Sequence, residues 1–135
     1  MRTSARLWRG ITKRCAECGE AGLFPRWVTM LAHCPRCGHR FERDPGYWLG
    51  AVIVNTAVTF ALFIAMGLGM ILATWPNVPW TTVLIVTLVL NGLFPLFFYP
   101  FSRTIWVALD LAVRPLEPTE LEAAQTRRRL SDSCR

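Results

Sequence analysis

Residues 15–38 read CAECGEAGLFPRWVTMLAHCPRCG and contain two Cys-x-x-Cys pairs, Cys15 with Cys18 and Cys34 with Cys37. Fifteen residues separate the pairs, a spacing typical of a four-thiolate zinc ribbon. A glycine follows each pair, and glycine tolerates the positive φ that a sharp turn toward a metal requires. Four soft thiolates favour zinc, and a closed set of four protein ligands is usual for a structural site. The sequence therefore predicts one structural zinc bound by these four cysteines.

Other uses of the cysteines stay open at this stage. Two disulfides would require an oxidising compartment, and a thioredoxin-like redox pair would sit in a βαβ pattern, which neither pair has. His33 and His39 flank the second pair, and either could replace a thiolate. With four cysteines present, we expect both histidines to be solvent-exposed or to lie around the site. We expect Cys134 to be a free thiol in the tail.

The charged residues divide the chain into three parts. Residues 1–46 hold nine Lys/Arg and four Asp/Glu, residues 47–101 hold none, and residues 102–135 hold six Arg and five Asp/Glu. This partition predicts a basic head, a membrane-embedded middle and a mixed-charge tail. The predicted segments are a basic N-terminal arm at 1–14, a zinc-ribbon head at 15–46, two transmembrane helices within 47–101, and an interfacial helix with a polar tail at 102–135.

The arm and the head are both short. The arm is either a surface helix that presents Leu7, Trp8 and Ile11 on one face, or a frayed basic terminus, and the sequence leaves both open. About thirty residues cannot hold a core alone, so metal has to supply most of the stability of the head. We expect a short β-hairpin between the two cysteine pairs.

The two transmembrane helices are expected at about residues 49–74 and 81–101. Residues 50–73 carry no charge, and as a helix they extend about 36 Å, enough to cross a hydrocarbon core of about 30 Å. Each span contains one asparagine, Asn55 and Asn91. The two either bond to each other across the helices, or each bonds to its own backbone or to headgroup water. We expect Pro95 and Pro100 to kink the second span.

An apolar-faced helix follows the second span. Ile105, Trp106 and Leu109 recur at helical spacing, and Arg103 and Asp110 interrupt them. A charge at the bilayer centre costs at least about 2.5 kcal/mol, so an interfacial helix is favoured over a third span. We expect this helix and the head to form one platform at the membrane surface, with Arg103 or Asp110 meeting a group on the head. Residues predicted to contact a partner are Trp27, Met30 and Trp106.

Arginines set the predicted orientation. They flank the outer ends of the two spans at residues 36–43 and 103–114, and the connecting loop at 75–80 has none. The positive-inside rule then places both termini in the cytoplasm. Because thiols stay reduced in that compartment, this orientation favours zinc over disulfides.

The order of these motifs resembles a known family. The chain reads CAECGEAGLFPRW, CPRCGHRFERDPGYWLGA, two apolar spans and FYPFSRTIWVALDLAVRPLEP, which is similar to the small bacterial membrane proteins of domain-of-unknown-function family 983. The likeness covers roughly residues 13–118 and places the four cysteines on the metal-knuckle positions of the family. Ala16 stands where such proteins often have proline, which leaves the ligands unchanged. The resemblance implies a bacterial cytoplasmic membrane location, and a loose association of similar proteins with respiratory-oxidase assembly genes.

These observations favour a non-enzymatic membrane protein that serves as an assembly factor or scaffold. The sequence shows no nucleophile beside a base and no phosphate-binding glycine loop. The expected partners are the lipid bilayer and a membrane protein, and the sequence leaves a homo-oligomer open. Two alternatives remain, a membrane-tethered ribbon that binds nucleic acid and a protein that handles thiols or metal. The nucleic-acid hypothesis is less favoured, because contact with lipid also explains the basic residues.

Overall fold

The structure, a computed structural model, describes residues 3–133 of the 135-residue chain. Its described part contains four helices, α1 (Thr3–Ile11), α2 (Leu49–Thr74), α3 (Trp80–Val113) and α4 (Pro118–Ser133). The head lies between α1 and α2 and is built of turns. Cys134 lies outside the described residues.

α2 and α3 pack against each other as a hairpin and are the apolar part of the molecule. Both are long and apolar enough to cross a membrane, with mean hydropathies of 2.2 and 2.0 over their most apolar windows. Their outward side chains are largely exposed, for example Ile53, Phe60, Leu88 and Leu96. Such a surface is stable in lipid and would be costly in water.

The predicted boundary between a second span and a separate interfacial helix is wrong. α3 runs without a break for 34 residues, or about 51 Å, and contains both Pro95 and Pro100. A proline removes one backbone N–H donor from the helix. The other backbone hydrogen bonds of the helix are kept, because apolar surroundings offer the backbone no other partners. The last third of α3 therefore extends the same helix away from the hairpin, and it carries the buried residues that meet the head.

The predicted β-hairpin is also wrong. The described residues contain no named strand and one isolated antiparallel bridge, His33 with Arg40. Its two hydrogen bonds run from Cys34 N to His39 O and from Phe41 N to Ala32 O, at 2.9 and 3.1 Å. The turns at Cys15–Gly19 and Cys34–Gly38, which we call the first and second knuckles, use the neighbouring backbone groups. From residue 43 onward the chain turns away toward α2. Too few residues remain free on either side of the bridge to extend a ladder.

The core lies where the head meets the end of α3. Leu23, Phe41 and Tyr47 of the head pack with Val107 and Leu111 of α3, together with two of the cysteines. The head thus shares its core with a helix that extends from the apolar hairpin. This arrangement adds apolar area that thirty residues alone do not provide.

The arm is helical, which settles the choice the sequence left open. α1 lies against α3, and Gly10 is its buried residue. A Cβ built on Gly10 would lie 2.7 Å from Ala108 Cβ and 2.9 Å from Thr104 O, so only glycine allows this close approach of the two helices. The tail is helical as well, and α4 buries Ala124 against the head.

The asparagines of the two apolar helices do not bond to each other. Asn55 Nδ2 donates to Pro95 O across the hairpin at 3.3 Å, and Asn91 Nδ2 donates to Thr87 O of its own helix at 2.8 Å. Asn91 therefore bonds to the backbone of its own helix, which was one of the predicted alternatives. Asn55 uses a backbone oxygen of the opposite helix instead.

Candidate metal centre

The four cysteines lie together in the head. Their Sγ atoms all lie within 4.8 Å of one another, and none is in a disulfide. Cys15 Sγ is 3.8 Å from Cys37 Sγ, and Cys18 Sγ is 3.5 Å from Cys34 Sγ. A tetrahedron with metal–sulfur distances of about 2.3 Å has edges of about 3.8 Å. The four thiols therefore have the spacing that one metal ion requires.

Two similar turns place the thiols. Gly19 N donates to Cys15 O at 2.8 Å, and Gly38 N donates to Cys34 O at 2.9 Å. Both glycines have positive φ, 79° and 71°, so a residue with a Cβ would be strained at either position. The glycines that follow the two Cys-x-x-Cys pairs are thus required by the backbone of the knuckles.

The four thiols strongly influence one another's pKa. Side-chain bonds from Cys15 and then Cys37 are the main causes that strongly lower the pKa of Cys34, and the backbone N–H groups of Cys37 and Arg36 add to them. The pKa of Cys15 is raised well above the ordinary range by the neighbouring thiols of Cys34 and Cys37 and by burial. The pKa of Cys37 is raised to about 12, mainly by Cys34 and by burial. One thiolate is stabilised by its thiol neighbours, and a bound cation would stabilise the others.

The histidines take separate places beside the knuckle. His33 is exposed, as expected, and its pKa is lowered by partial burial and by Arg127 and Arg40. His39 is 4 % exposed and packs edge-on to Phe41. Burial also lowers the pKa of His39, and its Nε2 has no partner in the described part of the chain. Neither histidine belongs to the group of candidate ligands found among residues 3–133.

The two terminal helices hold the knuckles from outside. Arg9 of α1 donates to Glu17 O in the first knuckle at 2.8 Å. Arg127 of α4 donates to Gly38 O at the second knuckle at 3.2 Å. A Cβ on Gly38 would collide with the backbone of Ala124, so α4 packs directly on the knuckle. The head is thereby fixed by residues far from it in sequence.

A buried polar cluster joins the head, α3 and α4. Arg43 donates to Asp110 Oδ2 at 3.0 Å, to both carboxylate oxygens of Glu120 at 2.8 and 2.7 Å, and to Arg114 O at 2.9 Å. Tyr47 donates to the same Asp110 oxygen at 3.0 Å. The side chains of Arg43 and Asp110 are only 8 % and 6 % exposed. We call Arg43, Tyr47, Asp110 and Glu120 the junction cluster.

The sequence indicated only part of this cluster. The expectation that Asp110 meets a group on the head is confirmed, and the group is Arg43 together with Tyr47. In the sequence, Arg43 is one of the arginines that set the predicted orientation, and a residue pattern shows no contact that spans 67 positions.

Arg103 also meets the head, as expected. It donates to Val28 O at 3.1 Å, and its guanidinium lies 4.2 Å from the centre of the Trp48 ring. Nearby, Lys13 Nζ lies 4.4 Å from the centre of the Trp27 ring and 4.0 Å from that of Phe101. The predicted contact between the head and the helix that carries Arg103 is therefore confirmed, and the position of this platform at a membrane surface stays a prediction.

The described features define a class of protein. It combines a four-cysteine module able to hold a metal ion with two helices long and apolar enough to cross a membrane. A sequence model of the family described as protein of unknown function (DUF983) matches residues 24–110. The chain belongs to this family. The matched range includes Cys34 and Cys37 but begins after Cys15 and Cys18. Comparison with curated proteins and with solved structures found no match.

Proposed function

We propose that this protein is a non-enzymatic scaffold or assembly factor of the bacterial cytoplasmic membrane, with a zinc-stabilised platform on the cytoplasmic side. One observation carries the proposal. Four cysteine sulfurs lie close enough together to hold one metal ion, in a head whose contacts run to α1, α3 and α4. A site with four protein ligands leaves no position for substrate, which supports a structural role for the metal.

The chemistry of the donor set supports zinc. All four candidate ligands are sulfurs, two of them buried and two half-buried, and none of the acidic residues joins the group among residues 3–133. Soft thiolate ligands select zinc over magnesium or calcium, which prefer oxygen. Zinc binding of about 10–16 kcal/mol would exceed what the small apolar core of the head contributes.

The exposed rim of the platform is the proposed partner surface. Trp27 is 54 % exposed, and Val28 beside it is 50 % exposed, while Arg103 and Lys13 hold this loop against α3. Trp106 is less suited than its sequence suggested, because it packs over Gly50 and against Tyr47. Trp27 is therefore the leading contact residue for a membrane protein partner, and a role in respiratory-complex assembly stays a prediction.

A co-purification experiment tests the proposal. Tagged full-length protein is isolated from membranes in mild detergent, beside Trp27→Ala and Cys34→Ser variants. We expect a membrane protein to co-purify with the wild type, and both variants to lose it while they remain in the membrane fraction. Recovery of the same partner with Cys34→Ser would overturn the role of the metal-stabilised platform. Steeply salt-dependent binding of the detergent-solubilised protein to duplex DNA would favour the nucleic-acid alternative.

Reporter fusions test the membrane topology on which the proposal depends. A reporter after residue 135 and one before residue 3 should both be active in the cytoplasm. A reporter inserted between Trp75 and Trp80 should be active only outside it. A cytoplasmic signal from this loop would contradict the orientation and would reopen the disulfide alternative.

A further inference from the structure

A small polar cavity lies between the second knuckle and α4. It has a volume of about 230 Å³, and its polar lining consists of His39, Arg40 and Arg43 from the head and Thr119, Glu120 and Arg127 from α4. We call it the knuckle cavity. Pockets for drug-sized ligands have volumes of roughly 300–1,000 Å³, so this cavity suits a small ligand or one functional group of a larger one.

Two arginines of the knuckle cavity have no acidic partner among residues 3–133. The side chain of Arg40 makes no hydrogen bond or ion pair with these residues, and its backbone alone takes part in the bridge to His33. Arg127 donates to a backbone oxygen, Gly38 O, at 3.2 Å and to no carboxylate within the same range. Arg40 is exposed and Arg127 is half-buried, so both guanidiniums remain accessible to a ligand.

The carboxylate in the lining does not neutralise these two arginines. Both oxygens of Glu120 accept hydrogen bonds from Arg43, at 2.8 and 2.7 Å. Arg43 also donates to Asp110 Oδ2 at 3.0 Å, so its own charge is offset inside the junction cluster. The charge that the knuckle cavity presents to a ligand is therefore positive and comes from Arg40 and Arg127.

We propose that the knuckle cavity binds a phosphate group. A guanidinium presents a planar fork of N–H donors that matches two phosphate oxygens. A phosphate monoester carries close to two negative charges at pH 7, so one such group neutralises Arg40 and Arg127 together, which a single carboxylate does not. The hydroxyl of Thr119 makes no hydrogen bond with the described residues and supplies a further donor.

A bound phosphate would join two separate elements. Arg40 belongs to the head, and Thr119 and Arg127 belong to α4. A ligand that binds the docked arrangement of α4, and does not bind α4 once it is detached, stabilises docking by mass action. We therefore expect phosphate to slow amide hydrogen exchange in α4 as well as to bind.

The position of the knuckle cavity favours a water-soluble source of the phosphate. Asp110, which bonds to Arg43 of the lining, lies nine residues beyond Phe101, where the charge-free segment ends. Nine residues of helix extend about 14 Å, so with α3 inserted the cavity lies beyond the end of the apolar segment. A lipid headgroup carries the same chemical group, and the experiment below separates the two sources. The site itself does not depend on membrane insertion.

Titration with inorganic phosphate tests the site. Full-length protein with its metal is held in a maltoside detergent and a phosphate-free buffer, and binding is followed by calorimetry and by hydrogen exchange of α4. We expect saturable binding of one phosphate per chain and slower exchange in α4. Absence of saturable binding, or the same response to chloride at equal ionic strength, would overturn the proposal.

Matched substitutions locate the binding. Arg40→Met and Arg127→Met should each weaken phosphate binding about tenfold or more, as expected for loss of a charge-assisted hydrogen bond. Arg128→Met removes the same charge from the next position of α4, which lines a different cavity, and should leave binding unchanged. Arg127→Met also loses the bond to Gly38 O, but Arg40→Met breaks no side-chain bond among residues 3–133 and tests the site without that change. Equal weakening by Arg40→Met and Arg128→Met would show attraction by overall charge and would overturn the site.

Nanodiscs separate the two sources of phosphate. The same titration is made in phosphatidylcholine nanodiscs that contain either phosphatidic acid or oleate, which is anionic but has no phosphate. Phosphate binding that is kept with both additives would support the site and assign it to a soluble ligand. Binding that phosphatidic acid abolishes and oleate leaves intact would support the site and assign it to a lipid headgroup. Binding that both additives abolish equally would indicate charge repulsion alone and would contradict a site specific for phosphate.

Discussion

Arg43 is the residue on which the head, α3 and α4 converge. It is almost fully buried and bonds to two carboxylates and a backbone oxygen. Glu120 and Asp110 raise the pKa of its guanidinium, Glu120 more strongly. A buried ion pair is weak evidence for net stability, but removal of one partner leaves a buried charge without compensation. The ion pair itself therefore adds little to stability, but loss of Arg43 would be costly because it would leave a buried carboxylate without a cation.

Replacement of Arg43 should be strongly destabilising. Arg43→Met leaves Asp110 buried without a cation, and we expect a loss of about 3–5 kcal/mol in the free energy of unfolding of the head. Arg40→Met, a substitution at an exposed arginine three positions earlier, should change it by less than about 0.5 kcal/mol. Urea unfolding in detergent, followed by tryptophan fluorescence, compares the two. Equal losses would contradict the role assigned to the junction cluster.

Glu120 makes the stability of the cluster depend on pH. Its hydrogen bonds with Arg43 are the largest cause that lowers its pKa below the ordinary value of 4.5. A carboxylate whose folded pKa is lowered contributes stability that is complete above the ordinary pKa, and loses it as pH falls through the folded pKa. Its side chain is 32 % exposed, so the contribution should be under about 1 kcal/mol.

Comparison with Glu120→Gln isolates this contribution. The wild type should be more stable than the variant at pH 7, and the difference should close between pH 5 and pH 3. Both proteins keep the four cysteines, so metal release in acid affects both and cancels from the difference. The measurement is thermal unfolding in detergent at a series of pH values. A difference that stays constant down to pH 3 would show that the charge of Glu120 is not the cause.

At the scale of elements, α1 depends on one glycine. Alanine in place of an exposed helical glycine usually stabilises a helix by about 0.5–1 kcal/mol. At Gly10 the sign should reverse, because the added Cβ would meet Ala108 and the backbone of Thr104. We expect Gly10→Ala to displace α1 from α3 and to expose its amides to hydrogen exchange. Ser4→Ala, on the exposed side of α1, should leave the exchange unchanged. Protection retained in Gly10→Ala would contradict close packing.

Periodicity and composition predicted the elements better than their ends. The charge-free run from Gly50 to Ala73 lies within α2, since an apolar run of that length favours a helix in lipid. Two errors came from local rules that tertiary structure overrode. α3 does not end at residue 101, before the charged residues resume, but continues to Val113, and the knuckles take up the backbone groups that a hairpin would have used.

In the candidate site, the sequence likewise predicted the ligands but not the residues that support them. The Cys-x-x-Cys spacing located the four sulfurs, because a knuckle needs a short, fixed separation of its ligands. The supports of the site were not predictable, since Arg9, Arg43 and Arg127 act through contacts with distant segments. An arginine-rich sequence gives no sign of which arginine faces a carboxylate and which faces solvent.

At the scale of the whole molecule, the head is fixed to the hairpin at a set depth. Trp27 lies edge-on to Phe97, with ring centres 6.3 Å apart, and Phe97 is six residues before Arg103 on α3. Along α3, this contact at Phe97 therefore lies about 9 Å nearer the start of the helix than Arg103. With α3 inserted, that position corresponds to the membrane interface, where tryptophan is favoured.

Metal removal should release this arrangement. The Sγ atoms of Cys15 and Cys34 are part of the shared core, so loss of the ion would expose charge or thiol groups beside Leu23 and Phe41. We expect one zinc per chain in the wild type. Cys34→Ser should lose the zinc, and trypsin should then cut at Arg26, Arg36 and Arg40, while α2 and α3 stay in the membrane.

Cys134→Ser is the matched control, because it removes a thiol but none of the four candidate ligands. It should keep one zinc and the tryptic resistance of the wild type. Zinc content by mass spectrometry and digestion in liposomes measure both effects. Iron in place of zinc after aerobic and anaerobic purification would contradict the assignment of the metal. A head that resists trypsin in Cys34→Ser would show that the contacts to α1, α3 and α4 suffice without the ion.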